Sequence, residues 1–238
     1  MRKVFIPAGL ALFCLAACQT APVAIGNTTQ PASGSPAASP APDAVRYTVD
    51  AARSDVRFLV YKAGPLAAFG YNHVIRARNI AGDVYLAPDF PASSFSLTLP
   101  VKDFEVDAPE ARAVEGPDFA KQPSPQSVAG TVEHMLGPEE LDADRYPAVT
   151  IQSLKLTGPD WGPDASIRIT LHGTPRDLTV PIVVSRNGDE FTASGGFQIL
   201  QSEFGISPHA VLGGGLAVAD RVRIRFKIVA RKAAPSAP

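Results

Sequence analysis

The sequence predicts an all-β fold, an antiparallel barrel or sandwich with one helical insertion. Apolar and polar residues alternate in several short segments, as they do in strands with one buried face. In residues 221–230, for example, Val222 and Ile224 alternate with arginines. Turn sequences such as Asn187-Gly188 separate these segments. Many short strands with turn signals are typical of barrels and sandwiches.

One helix is predicted, over residues 124–136. Ser124 suits the N-cap, Pro125 suits the first turn, and Gly137-Pro138 ends the helix. Apolar residues recur between these signals at helical spacing. They are Val128, Val132, Met135 and Leu136. A second short helical segment around residues 138–143 is compatible with the pattern.

Residues 1–17 are predicted to be a lipoprotein signal peptide. Arg2 and Lys3 precede a short apolar run that ends on Leu-Ala-Ala-Cys at Cys18, which fits a secretory signal. The run is shorter than the roughly 20 apolar residues of a spanning helix. The ending resembles the lipobox of bacterial lipoproteins, which implies cleavage before Cys18 and lipid attachment to it. An ordinary signal peptide with an incidental cysteine, or a short core helix, is the alternative.

Localisation follows from the same residues. Gln19, rather than aspartate, follows Cys18, and by resemblance to Gram-negative sorting signals this implies the cell envelope, at the periplasmic face of the outer membrane. Membrane contact is therefore expected through the lipid anchor.

Residues 18–44 are predicted to be the lipidated cysteine followed by a disordered tether. Proline, alanine and serine dominate the segment, and Asp43 is its only charged residue, so it cannot bury enough apolar surface to order itself. Residues 232–238 form a similar tail. The folded domain is thus predicted over residues 45–231, a length that favours one barrel or sandwich.

Composition argues against several classes of protein. The formal net charge is −1, and loss of Arg2 and Lys3 with the signal peptide lowers it to −3, which does not suggest nucleic acid as a partner. Phosphate-binding, nucleophile-elbow and zinc-protease motifs are absent from the sequence. We therefore predict no catalytic residue and no cofactor.

Two charged segments are interpreted as solvent-exposed. Arginine and lysine line one face of residues 221–231, and acidic residues are dense in residues 103–115. Exposed cations on a strand also discourage edge-to-edge pairing. No nucleophile accompanies the acidic residues, so a solvated loop is the simplest interpretation of them.

Histidines raise the alternative of a metal site, since imidazole suits zinc, copper and nickel. His73 follows Gly70-Tyr71-Asn72, and His209 precedes a glycine run. These two histidines could meet at one barrel mouth, either as a metal or polar site or as ordinary turn residues. No histidine has short ligand spacing to another, so no metal is predicted.

Several sequence blocks occur together in a characteristic order. They are residues 47–50 (YTVD), 54–58 (SDVRF), 70–73 (GYNH), 141–147 (LDADRYP), 169–180 (ITLHGTPRDLTV), 201–206 (QSEFGI) and 220–224 (DRVRI). Over residues 45–231 the chain resembles the YceI-like family of periplasmic lipid-binding proteins. Residues 64–80 and 107–125 differ from the family pattern, and we expect both to shape the mouth of a cavity.

The resemblance implies a lipocalin-like, eight-stranded antiparallel β-barrel. It implies non-catalytic binding of a long-chain amphiphilic lipid or isoprenoid, by a membrane-tethered periplasmic carrier or buffer. The expected cavity lining is Phe58, Val60, Leu97, Leu99, Ile167, Ile169, Leu171, Phe197, Ile224 and Phe226. The expected residues at the cavity mouth are Tyr71, Asn72, His73 and His209.

Two other functions fit the same sequence. One is an envelope protein-interaction module with a filled barrel, and the other is a metal-binding barrel that uses His73 and His209. A homodimer through strand edges or through the helical insertion is a further open alternative.

Overall fold

The structure is a computed structural model that describes residues 29–234. The predicted signal peptide, Cys18 and residues 235–238 lie outside the described residues. Within residues 29–234 the strands are β1 (Gln30–Pro31), β2 (Val45–Val49), β3 (Asp55–Ala63), β4 (His73–Ala77), β5 (Ala81–Leu86), β6 (Ser94–Pro100), β7 (Glu105–Val106), β8 (Ala148–Thr157), β9 (Asp164–Leu171), β10 (Thr174–Asn187), β11 (Glu190–Leu200), β12 (Ala210–Val211) and β13 (Leu216–Lys232). The α-helices are α1 (Pro109–Ala113) and α2 (Pro125–Leu136).

Eight antiparallel strands close a barrel, which confirms the predicted fold. Their order is β2-β5-β6-β8-β9-β10-β11-β13, and β13 returns to β2. β3 follows β2 along the same edge of β13. β4 pairs with β3 as β5 pairs with β2, so β3 and β4 extend the barrel wall. Closure pairs most of the sheet edges through which open sheets aggregate, and β1 pairs with part of the β10 edge that β11 leaves open.

β13 is the seam of this barrel. It pairs with β11 from Glu190↔Arg231 to Leu200↔Arg221, and its other edge pairs with β2 and β3. Val222 and Ile224 are buried while Arg223 between them is exposed. The predicted alternation of an apolar and a cationic face is therefore confirmed.

The helix is placed as predicted and lies at one end of the barrel. The Ser124 hydroxyl accepts a hydrogen bond from the Ser127 N–H, and Met135 is buried in the last turn. β9 and β11 end on this side of the molecule, and β8, β10 and β13 begin there; we call it the α2 end. No helix in residues 29–234 has the length and hydropathy that a membrane span requires.

Part of the predicted tether lies along the barrel. β1 pairs with the start of β10, and the Ala38 N–H donates to the Ser153 carbonyl at 2.8 Å. Arg168 donates to the Ser35 carbonyl at 2.9 Å. In residues 29–44, therefore, the structure differs from the expected disorder. The segment has no core of its own, but the outer edge of β10 supplies hydrogen-bond partners.

The acidic segment covers the outside of the barrel, so its interpretation as a solvated loop is wrong. Residues 107–119 pack on the outer faces of β3 and β4 and form a second apolar cluster. The cluster contains Leu59, Val74, Ala108, Ala111 and Phe119. The Glu115 side chain is buried between Arg57, at 2.5 Å, and Arg225, at 2.8 Å. The cationic strand faces thus have acidic partners.

Arg112 fixes this covering segment in place. Its guanidinium is 1% exposed and donates to the carbonyls of Asn72 (2.8 Å), Phe119 (2.8 Å) and Lys121 (2.7 Å). It also pairs with the buried Asp107 carboxylate. Burial opposes ionisation of Asp107, but hydrogen bonds from His73, the Val74 N–H and Arg112 outweigh it and lower the pKa of Asp107.

We expect Arg112→Met to destabilise the protein by about 3–5 kcal/mol, because it removes the guanidinium that pairs with the buried Asp107 carboxylate and leaves three carbonyls without their donor. Urea unfolding followed by circular dichroism measures the change. The matched control is Arg46→Met, since Arg46 pairs with Asp83 on the surface and should contribute little. Equal effects of the two substitutions would contradict the structural role of Arg112.

Candidate ligand cavity

The barrel is hollow. It encloses a cavity of about 180 Å³, counted as the space open to the centre of a water-sized sphere. One water needs roughly 10–15 Å³ by this measure, so the cavity has room for on the order of a dozen groups of that size. The filled barrel that the protein-interaction alternative assumed is therefore wrong.

All ten residues predicted to face the interior contribute to the cavity wall. They are Phe58, Val60, Leu97, Leu99, Ile167, Ile169, Leu171, Phe197, Ile224 and Phe226. Strand periodicity places them there: on β9, Ile167 and Ile169 are buried, while Arg168 between them pairs with Asp177 on the outer face at 2.7 Å. Ligand binding by these residues stays a prediction.

Four polar side chains also contribute to the wall. They are Ser93, Ser94, Glu140 and Gln201. The Ser93 hydroxyl accepts from the Ala87 N–H at 3.0 Å, and the Gln201 amide donates to the Ala219 carbonyl at 3.0 Å. The Ser94 hydroxyl is buried without a partner among the described residues. Ser94 begins β6, so this hydroxyl lies at the end of the barrel remote from α2.

Glu140 is the ionisable residue of the described cavity wall. Its side chain is 13% exposed, and burial, with a contribution from the charge of Glu139, raises its pKa to about 7. Its carboxyl oxygen lies 3.5 Å from His209 Nδ1. The His209 ring in turn lies 4.6 Å from the His134 ring. Near neutral pH this carboxyl can therefore donate a hydrogen bond as well as accept one.

Three of the residues predicted for the mouth, Tyr71, Asn72 and His209, lie on connections at the α2 end, and His73 begins β4 there. None of the four contributes to the described cavity wall. His73 Nδ1 lies 2.6 Å from Asp107. The Asn72 amide accepts from the Lys62 N–H at 3.0 Å and donates to the Asp118 carbonyl at 2.9 Å. These contacts hold the covering segment, and a role in ligand binding stays a prediction.

Tyr71 and His209 complete the set. Lys121 Nζ lies 4.4 Å from the centroid of the Tyr71 ring, and His209 reaches the cavity only through its contact with Glu140. His73 and His209 thus have separate partners. No group of three or more possible metal ligands occurs within residues 29–234.

Glu140 and Ser94 are polar site residues that the sequence analysis missed. Residues 138–143 were compatible with a short helix, but they form turns that follow α2 and bring Leu141 and Glu140 to the cavity. The Leu141 N–H donates to the Met135 carbonyl at 3.1 Å, which turns the chain back over the barrel end. A glutamate in a turn carries no sequence signal that distinguishes this position from the surface.

We expect Glu140→Gln to raise the free energy of unfolding, relative to the wild type, by more at pH 8 than at pH 5. The folded state holds the Glu140 proton more tightly than the unfolded state, so the wild type loses stability as the pH rises from about 4.5 through 7. The variant does not lose stability in this way. The difference in free energy of unfolding between variant and wild type should therefore change by about 2 kcal/mol over that range. Urea unfolding at both pH values measures it. Glu133→Gln is the control, because Glu133 is exposed on α2, and parallel pH profiles for all three proteins would contradict the assignment.

Comparison with known proteins identifies the family to which this chain belongs. A family model, the YceI-like domain, matches residues 47–230. BcnA of Burkholderia cenocepacia is similar in structure, with a TM-score of 0.58 and 21% identity over 76% of this chain and 98% of BcnA. A YceI protein of Campylobacter jejuni gives a TM-score of 0.48 and 13% identity over 67% of this chain and 85% of its own. A comparison with curated proteins gave no match. The chain belongs to the family of proteins with a YceI-like domain.

Proposed function

We propose that this protein binds a long-chain amphiphilic lipid of the polyisoprenoid type in its cavity, without catalysis, as a membrane-tethered periplasmic carrier or buffer. The observation that carries this proposal is the apolar cavity itself. Its wall is built from the predicted aliphatic and aromatic residues of the barrel strands. Such a wall offers a long apolar chain van der Waals contact and exclusion from water.

The size of the cavity sets the strength of the interaction. About a dozen methylene-sized groups fit, and each is worth roughly 0.8 kcal/mol on leaving water, or about 10 kcal/mol in all. A bilayer offers the same chain an equally apolar environment. Transfer between bilayer and barrel is therefore nearly neutral for the tail, and the protein needs no energy source to load or release it.

Polar groups must then select the ligand. The described cavity wall includes no lysine or arginine, and its ionisable residue is the acidic Glu140. A phosphate in the cavity would lie near a carboxyl group with no cation to compensate it. We therefore favour an uncharged head group inside the barrel, with Glu140 or the unpartnered Ser94 hydroxyl as its hydrogen-bond partner.

We expect native mass spectrometry of protein purified without detergent to detect a bound long-chain lipid. Ala193→Trp should weaken binding of such a lipid at least about tenfold, because the indole fills space that several methylene groups would occupy. Ala193 contributes to the cavity wall. Ser194→Trp is the matched control, because the next residue of β11 faces the opposite side of the sheet. Equal lipid binding by the two variants, or a lipid-free wild type that takes up no added lipid, would overturn the proposal.

We expect Cys18→Ala to move the protein from the membrane fraction to the soluble periplasmic fraction, because the variant cannot form the thioether. Fractionation of cells that express the full chain measures this, and mass spectrometry of the wild type should find diacylglycerol on Cys18. Cys14→Ala is the control, since the predicted cleavage discards Cys14. Unchanged membrane association of the Cys18 variant would contradict lipid anchoring.

A further inference from the structure

We propose that two apolar loops at the α2 end dock onto a lipid bilayer and turn the cavity toward it. The loops contribute Leu66 and Phe69 on one side and Val211 and Leu212 on the other, and we call these four side chains the apolar rim. The inference rests on the proposed function, because the docked bilayer would be the surface from which the lipid ligand enters the cavity.

The rim includes the two most exposed large apolar side chains of residues 29–234. Phe69 is 76% exposed and Leu212 is 75% exposed, with Leu66 at 37% and Val211 at 40%. Exposed apolar residues scattered singly are ordinary, but a group of them marks an interaction site. Here four of them lie on two loops that contact each other.

Backbone contacts join the two loops into one projection. The Leu66 N–H donates to the Gly215 carbonyl at 2.7 Å. Gly64 has φ of +88°, and a Cβ there would lie 2.6 Å from the Gly215 oxygen. Only glycine permits both this conformation and this approach. The rim is thus a defined structural feature at the tip of the β3–β13 ribbon, which ends in the pair Ala63↔Ala217.

The projection adjoins the cavity. Val60 and Val222 both contribute to the cavity wall and pair with each other, and their strands continue from there to the rim. The loop that carries Val211 and Leu212 also carries His209, which contacts Glu140 in the wall. A surface that covers the rim therefore lies against the same end of the barrel as Glu140.

Charge favours a bilayer as the occupant. Residues 64–72 and 205–216 contain no acidic residue, and His209 is their only basic one. Lys62 and Lys121 flank the loops, and both ammonium groups approach the Gly70 carbonyl, at 3.2 and 3.4 Å. Apolar side chains bordered by lysines suit an interface with anionic lipid head groups.

The size of the rim also argues for a membrane. A stable protein interface covers roughly 800 Å² on each partner, which four side chains on a narrow projection do not provide. A bilayer needs no complementary shape, since the side chains insert among the lipids.

The position of the N-terminal segment also favours contact between the α2 end and a membrane. The Thr29 hydroxyl donates to Glu203, which lies two residues before the loop of residues 205–216. Cys18 is eleven residues from Thr29, and a fully extended chain of that length reaches at most about 40 Å. A lipid on Cys18 would therefore lie within about 40 Å of Thr29, which is close enough to let the α2 end contact the membrane.

The test is flotation of the full chain with Cys18→Ala on vesicles of phosphatidylethanolamine and phosphatidylglycerol, with phosphatidylcholine vesicles for comparison. Phe69→Ser combined with Leu212→Ser should weaken binding at least about tenfold, because both side chains lose their burial in lipid. Trp161→Ser combined with Val183→Ser is the matched control, since these residues are 68% and 62% exposed but lie away from the rim. Rim and control variants that bind alike, or a parent chain that does not float, would overturn the inference.

A second measurement separates docking from cavity binding. Both double variants should bind a fluorescent long-chain alcohol added from detergent as the parent does, while the rim variant should load it from vesicles at least about tenfold more slowly. If the parent floats through its rim but binds no alcohol, docking stands and the proposed function fails. If ultracentrifugation instead finds a rim-dependent dimer that does not float, the occupant is a second copy and the inference is overturned.

Discussion

Closure of the barrel along β13 is the constraint on which the rest of the structure depends. β11 occupies one edge of this strand, and β2 and β3 share the other. Once the sheet closes, every second residue must face the interior, whatever its size. Eight strands leave an interior wide enough for one ligand or for a full set of large side chains. Here the inward residues are mostly of medium size, so an apolar space remains along the axis.

The inward and outward faces were predictable because a strand has a period of two residues, and that period is visible in the sequence. Contacts between segments that are distant in the sequence could not be predicted in this way. The composition of residues 29–44 indicates correctly that they have no core of their own, but it cannot show that β10 offers them an edge. Likewise, Arg112 and Glu115 are charged residues in a polar segment, and only the packed structure shows that cations on β3 and β13 need acidic partners. Glu140 belongs to the same class, since its burial depends on where the turn after α2 packs.

The polar residues of the cavity give the two ends of the barrel different chemistry. At the α2 end, Glu140 lies in an apolar wall where ionisation is unfavourable, so its pKa is near neutrality. At the remote end, the Ser94 hydroxyl is buried without a described partner. An unsatisfied buried hydroxyl costs free energy that a ligand atom can recover by hydrogen bonding. Each end of the cavity therefore offers the proposed ligand a polar partner that the apolar wall alone does not supply.

For the lipid exchange proposed above, the position of the apolar rim matters because the obstacle is the path of the tail through water rather than its free energy in the bilayer or in the barrel. A tail has nearly the same free energy in the bilayer and in the barrel, but a dozen methylene groups exposed together on the way through water would cost about 10 kcal/mol. Contact between the rim and a bilayer would remove most of that exposure, because the tail could pass directly from one apolar environment into the next. A tether alone would only raise the local concentration of the barrel at the membrane. Tether, rim and cavity act together only if all three lie at one end of the molecule, which is where Thr29, Leu212 and Glu140 are found.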